Sequence, residues 1–307
     1  MSRFAVLGAS SFSGAAFVAH LLAQGDEVLL LQRPEHDVNT GLERIMAAVE
    51  RRRPEYFVNF AALNVVAESW DHAADYFQTN VVGLARLHDR LRRWGGLAKY
   101  VQVSTPEVYG RTETFLQEGA PYCPSTPYAA SRAAADMYLA MLHSAYGFPV
   151  AFTRTVNVYG PGQQLYRVIP KTVLSILRGQ KLKLHGGGRS TRSFIHIRDV
   201  AEATRRVALD GGPGQVYHIA TARQVAIRAL VAMICERMGV RLEDATEPAP
   251  ERLGKDMAYQ LDDAKIRAEL GWRDRIGLEE GLEETIDWFR VRAGSLGAAA
   301  LEYEHRP

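Results

Sequence analysis

Short unbroken apolar runs alternate with longer amphipathic stretches through the first half of the chain. Residues 4–7, 27–32, 56–61, 100–104 and 150–155 are rich in Val, Leu, Phe and Tyr. Apolar runs of this length, without strict alternation, predict strands buried on both faces of a parallel sheet. Between them, residues 14–24, 42–53, 73–94 and 128–146 repeat apolar positions at helical spacing and predict helices. Strand and helix in regular alternation predict an α/β architecture with a doubly wound parallel sheet. The start of the chain, Arg3 followed by apolar and small residues, mimics a signal peptide, but Gly8 ends the run and His20 interrupts the next apolar stretch. Strand–turn–helix accounts for it better.

The second half is less regular. Gly- and Pro-rich punctuation at 159–162, 186–188 and 211–214 breaks it into short pieces, with no repeat and no low-complexity linker. The small residues after position 293 predict a frayed tail over 291–307, and the run 298–302 has the look of an appended sequence. A chain of 307 residues, 47% hydrophobic, can bury a large core. A net charge of +2 leaves no footprint for nucleic acid, and no segment approaches the ~18 apolar residues that cross a bilayer. Arg51-Arg52-Arg53 reads as a solvated helix end. Two cysteines, Cys123 and Cys235, make no disulfide framework and suit a reducing cytoplasm; nine scattered histidines show no metal-ligand spacing.

Three segments carry candidate chemistry. The first is the turn after the first strand, Gly8-Ala9-Ser10-Ser11-Phe12-Ser13-Gly14, followed by a helix. Strand, glycine turn and helix together aim backbone N–H groups and a helix N-terminus at a pyrophosphate. The second is Gln32-Arg33 after the second strand, where an acid usually holds the adenosine ribose. An arginine there attracts a 2′-phosphate instead, which favours NADP(H) over NAD(H). The third is Ser104-Thr105-Pro106-Glu107 at the end of a strand, with Tyr128 and Arg132 four apart on a helix opened by Pro127. A phenol of pKa near ~10 acts as a base at neutral pH only when something favours its anion; a fixed cation and a helix N-terminus both do so.

Taken in order, these segments resemble the extended short-chain dehydrogenases, the nucleotide-sugar epimerases and 4,6-dehydratases. Further carriers are Asn59-Phe60-Ala61-Ala62, Thr79-Asn80-Val81-Val82-Gly83, the run from Arg154 to Pro161, Arg192-Ser193-Phe194-Ile195-His196 and Leu270-Gly271-Trp272. The resemblance implies a Rossmann domain over 1–158 plus about 194–218. It implies a smaller α/β substrate lobe over 159–193 and 219–290. It implies NAD or NADP held by Gly8, Ser10, Ser11, Phe12, Gly14, Arg33, Asp37, Val38, Ala61, Ala62, Asn80, Tyr128 and Arg132, with Asp37-Val38 cradling adenine. The connection before Asp37 is short, so one element of the usual pattern is missing. The implied catalytic set is Thr105, Glu107, Tyr128 and Arg132, and Ser69, Asn157, Arg192 and Arg252 are expected to meet a nucleotide-diphosphate hexose.

Two departures stand out. Arg132 occupies the family's lysine position, and Pro106 occupies the place of an aspartate that many dehydratases use as an acid. The GDP-mannose 4,6-dehydratase group likewise keeps the glutamate without the aspartate. The implied reaction is NDP-hexose 4,6-dehydration; a 4-epimerase or 4-dehydrogenase shares its first step, and a non-catalytic NADP(H) sensor is the reading from a different class. His185-Gly186-Gly187-Gly188 suggests a lipase-type turn, but no Gly-x-Ser-x-Gly accompanies it. Helices 73–94 and 128–146 carry apolar and small residues on more than one face, including Val81, Val82, Leu84, Leu87, Ala133, Ala134, Met137 and Met141. The excess predicts a two-fold homodimer built on those helices.

Overall fold

The alternating pattern becomes strands and helices in the computed structural model, which describes residues 1–110, 115–250, 260–296 and 299–305. The first half runs β1 (Arg3–Leu7), α1 (Phe12–Ala23), β2 (Glu27–Leu31), α2 (Leu42–Arg52), β3 (Tyr56–Asn59), α3 (Ala73–Phe77), α4 (Leu84–Trp94), β4 (Lys99–Val103), β5 (Phe115–Leu116), α5 (Pro127–Tyr146) and β6 (Val150–Thr155). There follow β7 (Asn157–Tyr159), α6 (Val168–Leu177), β8 (Leu182–His185), β9 (Thr191–His196), α7 (Ile197–Asp210) and β10 (Val216–Ile219). The chain closes with β11 (Gln224–Ala226), α8 (Ile227–Arg237), α9 (Leu242–Ala245), β12 (Thr246–Ala249), β13 (Gln260–Leu261), α10 (Ala264–Leu270) and α11 (Leu278–Leu296).

Six strands form one parallel sheet in the order β10-β6-β4-β3-β1-β2. Successive side chains of a strand point to opposite faces, so one strand feeds two cores. Phe4 and Val6 pack with Phe17 and Leu21 of α1 and Val207 of α7. Ala5 and Leu7 pack with Ile45 of α2, Leu87 of α4 and Leu139 of α5. The chain leaves β1 for β2 on one side and returns to β3 on the other, which opens a crevice at the carboxyl ends of β1 and β3. Among the described residues no strand lies outside β2, in keeping with the short connection that follows it.

Two differences from the sequence reading have local causes. The helix expected over 73–94 is broken by a six-residue π-helical turn, Gln78–Gly83. That turn points Asn80 inward, where its amide closes on Leu63. The fraying expected from 291 does not begin there. α11 continues to Leu296, which packs with Leu301 against the cluster formed by Val173, Leu174, Leu230, Ile234, Leu282 and Phe289. Around that cluster lie α6, α8 and α11, the three-stranded sheet β11-β9-β7 and the pair β12-β8. None of the described helices is long and apolar enough to cross a membrane.

Candidate active site

Gly8 follows β1 with a φ of 78°, and a Cβ on it would stand 2.9 Å from the Ala61 nitrogen. A Cβ on Gly14 would stand 2.2 Å from the Gly8 carbonyl oxygen. The turn therefore closes on itself without room for a side chain, and backbone can approach a diphosphate. Ser11, in the place of a middle glycine, adopts an unstrained extended backbone and caps α1, its hydroxyl accepting from the Gly14 N–H at 3.1 Å. Ser10 is exposed beside it and Phe12 opens the helix. Turn, helix N-terminus and flanking strand ends fit a dinucleotide.

At the end of β2 the two residues expected to meet the adenosine meet each other. Arg33 Nε lies 2.7 Å from Asp37 Oδ2, with the arginine half exposed and the aspartate buried. Asp37 also accepts from the Asn39 N–H at 2.8 Å, and Val38 packs in the core. Across the crevice Asn59 accepts from the Ala61 N–H at 2.9 Å, fixing the half-buried Ala61 and Ala62 after β3. Asn80 is corrected from ligand contact to support. It has no exposed surface, and its amide grips both the N–H and the carbonyl of Leu63 and the Ser131 hydroxyl, at 2.9 to 3.0 Å.

The third segment brings the end of β4 and the start of α5 together. Thr105 caps a short 3₁₀ turn, Pro106–Tyr109, accepting from the Glu107 N–H at 3.3 Å, and its hydroxyl lies near enough to the Tyr128 phenol to lower its pKa. Thr126 caps α5 and places Tyr128 in its first turn. Burial pushes the Tyr128 phenol above its ordinary value, Arg132 pulls it back, and Glu107 pushes it up again. Burial wins, so the protein alone holds the phenol protonated at neutral pH. Arg132 is buried and donates from Nη2 to the carbonyl of Val103, the last residue of β4, while its Nε is buried without a hydrogen-bond partner.

Behind this turn lies a polar network the sequence reading missed. Asp136 sits two helical turns beyond Tyr128, on the Tyr128–Arg132 face of α5. It forms a fully buried ion pair with Arg154 at 3.0 Å and accepts from the Ser104 hydroxyl at 2.6 Å. Arg154 lies between the rings of Tyr109 and Tyr122, 4.6 and 4.7 Å from their centres, and donates to both hydroxyls. Desolvation opposes its charge, but Asp136 and the two phenols more than offset it and raise its pKa. The Tyr109 hydroxyl continues to His218 Nε2 at 2.7 Å, and His218 Nδ1 lies 3.1 Å from the Asp262 carbonyl oxygen. Ser104 and Tyr109 bracket Thr105 and Glu107, so the network grips both ends of the turn that carries them.

The expected substrate residues fare unequally. Asn157 donates to the Ser193 carbonyl at 3.4 Å and Arg192 to the Thr191 carbonyl at 2.8 Å, which brings both to the β7–β9 ladder. That ladder begins two residues beyond β6, whose Thr153 carbonyl accepts from Ser104 N–H at 2.8 Å. Ser69 is corrected: it is fully buried and donates its hydroxyl to the Val66 carbonyl at 2.6 Å, holding a turn rather than facing a sugar. Arg252 lies outside the described residues. A cavity of ≈ 230 Å³ lined by Phe194, Arg223, Asp274 and Glu279 contains none of Thr105, Glu107 or Tyr128.

Residues 37–285 match the model of the family described as GDP-mannose 4,6 dehydratase. The chain is 37% identical over 234 residues to dTDP-glucose 4,6-dehydratase of Streptomyces antibioticus, covering 76% of this chain and 69% of that one. It superposes with a TM-score of 0.89 on a double mutant of dTDP-glucose 4,6-dehydratase from Streptomyces venezuelae, solved with NAD bound. That pair shares 30% identity and covers 95% of this chain and 98% of the other. UDP-glucose 4-epimerase of Thermotoga maritima, solved with UDP-glucose, superposes at 0.87 with 28% identity, covering 94% and 98%.

Proposed function

The chain belongs to the GDP-mannose 4,6-dehydratase family of extended short-chain dehydrogenases, and from that premise we propose that it is an NDP-hexose 4,6-dehydratase whose carboxylate of decision is Glu107. The observation that carries the reading is a carboxyl, Glu107, in the same capped turn as Thr105; the Thr105 hydroxyl and the Glu107 carboxylate both act on the pKa of the Tyr128 phenol. A 4-epimerase needs no such group. A dinucleotide held with its diphosphate at the β1 turn would supply a hydride acceptor for C4, a hydride donor for C6 and a positive charge that favours the phenolate. Tyr128 takes the proton of the 4-hydroxyl, with Thr105 orienting that hydroxyl and Arg132 holding the cationic side of the pair. The resulting 4-ketone acidifies C5, and Glu107 takes the C5 proton. Pro106 leaves Glu107 as the turn's carboxyl, so the proton it takes is the one it gives to the departing 6-hydroxyl, which leaves as water. As hydride returns to C6, C5 takes a solvent proton through Glu107, and Tyr128 releases the proton it took from the 4-hydroxyl. Asn157 and Arg192 meet the diphosphate or the sugar.

The substitution Pro106 for an acid favours a second reading, a 4-epimerase with the same first step. Incubation with a panel of NDP-hexoses, read by mass, separates them: loss of one water supports the dehydratase, and a change of configuration at constant mass supports the epimerase. Binding of the cofactor without turnover of any sugar nucleotide would support neither.

Two finer points belong to the same proposal. Arg33 favours NADP(H), although Asp37 already holds its Nε and a carboxylate there opposes a 2′-phosphate. Titration is expected to show NADP⁺ binding more tightly, with Arg33→Ala narrowing the gap; equal affinities in the parent chain would refute the preference. The chain also pairs with a second copy through α5 and the π turn that leads into α4. Leu84, Leu87 and Ala133 face this chain's own core, but Val82, Met137 and Met141 remain 39%, 61% and 53% exposed. Light scattering near the single-chain 34.1 kDa would rule the dimer out, and Met137→Glu is expected to split it.

A further inference from the structure

The end of the chain alternates. Leu301, Tyr303 and His305 are half-buried, while Glu302 and Glu304 face solvent, the period of an extended segment. Leu301 packs on the α6–α8–α11 cluster, and Glu302 pairs with Lys171 of α6 at 2.5 Å. The Tyr303 ring meets Tyr166, just before α6, edge-on at 5.3 Å. The His305 ring lies flat on His72 at 3.9 Å and parallel to Tyr76 of α3 at 6.1 Å, with Nε2 3.0 Å from Asp75 Oδ2. Tyr76 in turn meets Tyr128 edge-on at 6.3 Å. The tail thus leaves the helices of the second half, crosses to the parallel-sheet half and at His305 comes within one ring, that of Tyr76, of the active-site phenol. Tyr303 comes near enough to Tyr76 to raise its pKa, after burial, the larger cause. Arg167, next to Tyr166, acts electrostatically on Tyr128.

We propose that the C-terminal tail is a wall of the substrate cleft, and that Tyr303 and His305 select among NDP-hexoses by restricting the space beside Tyr128. The inference rests on the reading of Tyr128 as the group that meets the hexose 4-hydroxyl. Tyr76 has no exposed surface, so the groups left to line the space beside a sugar whose 4-hydroxyl rests on Tyr128 are the tail's half-buried Tyr303 and His305. An axial or bulky group next to C4 meets those two side chains, whereas a flat equatorial edge passes them. His72, Asp75 and His305 hold their donor atoms within 4.8 Å of one another. They serve here as a latch rather than a metal site, because a metal must lie in the plane of each imidazole it binds and these two rings are stacked face to face 9° from parallel.

The test measures kcat/KM of the full chain and of His305→Ala, Tyr303→Ala and Asp75→Asn on NDP-hexoses that differ next to C4. The Asp75 variant removes the charge that holds His305 and leaves the tail's own residues in place. The expected result is relaxed selectivity: the ratio between the best and the poorest hexose falls at least tenfold in the alanine variants and in the same direction for Asp75→Asn. The change is carried mainly by KM, with dinucleotide affinity held within about twofold as the sign of an intact fold. Ratios unchanged within twofold in all three, on a parent chain that turns these sugars over, would overturn the role of the tail alone. A parent chain that turns over no NDP-hexose would overturn the dehydratase reading, and this inference with it.

Discussion

Replacing Asp136 by asparagine removes one charge of a pair that has no exposed surface on either side. Arg154 stays charged, since a guanidinium does not deprotonate in proteins, and it stays buried between two phenols. Removing one partner of such a pair typically costs ~3–5 kcal/mol. For a domain of this order of size that corresponds to a drop in Tm of roughly 6–20 °C. Thermal melts followed by circular dichroism measure it. The paired replacement Asp136→Leu with Arg154→Met restores an uncharged core, and its stability should return to within about 1 kcal/mol of the parent, because isosteric apolar pairs often replace buried ion pairs at no loss.

Activity should not return with it. The double variant takes from Ser104 its acceptor and from Tyr109 and Tyr122 their donor. The turn between Ser104 and Tyr109, which carries Thr105 and Glu107, is then held at fewer points. A displacement of about 1 Å at a reacting group can cost ~10²-fold, and kcat is where the loss should fall, with dinucleotide affinity unchanged. A double variant that regains both Tm and kcat would refute the positioning argument and leave the network a purely structural one. An Asp136→Asn variant as stable as the parent would refute the burial argument itself.

Glu107→Gln should fold and bind nucleotide normally while losing exchange of the C5 proton with deuterated water, by more than the ~10²–10⁴-fold typical of one acid or base, since two proton transfers depend on it; full dehydration by the variant would remove Glu107 from the mechanism. Arg132→Lys should keep activity within about tenfold, ~1.4 kcal/mol of barrier, and a complete loss would mean that the guanidinium's grip on Val103 is required. Burial lowers His88 to about 3, and burial with a nearby arginine lowers His196 and His218 to about 4. The unfolded chain therefore takes up three protons that the folded chain refuses. Their contribution is complete above pH ~6.5 and declines as pH falls toward ~4, at up to about 4 kcal/mol per pH unit. Urea titrations giving equal stability at pH 7 and pH 4.5 would contradict it.

The parallel sheet was legible because a strand buried on both faces has no polar alternation, and residues 4–7, 100–104 and 150–155 show this directly. Tyr128 and Arg132 were legible because helical spacing alone puts them on one face. The π turn at Gln78–Gly83 was not, since one extra residue per turn leaves the apolar repeat nearly unchanged over so short a span. Asn80 and Ser69 were read as facing a ligand because motif position identifies a residue type but not the direction of its side chain. Asn80 faces Leu63 and Ser131, and Ser69 faces Val66.

Two signals were present and went unread, and both concern residues in the wrong chemical company. Arg154 stands in Val-Ala-Phe-Thr-Arg-Thr, a run that otherwise reads as a buried strand. A cation there must have a buried anion within reach, and Asp136, on the Tyr128–Arg132 face of α5, was available at the next helical step. In the tail, the small residues after 293 suggested fraying, but Leu301-Glu302-Tyr303-Glu304-His305 alternates with period two, which solvated chain ends have no reason to do. In each case the anomaly lay next to a recognised motif and marked what acts on it. The ion pair fixes the turn that holds Glu107 from behind, and the tail packs on Tyr76, whose ring meets Tyr128. Family motifs report the groups that react, whereas residues out of place in their own element report how this particular chain aims and encloses them.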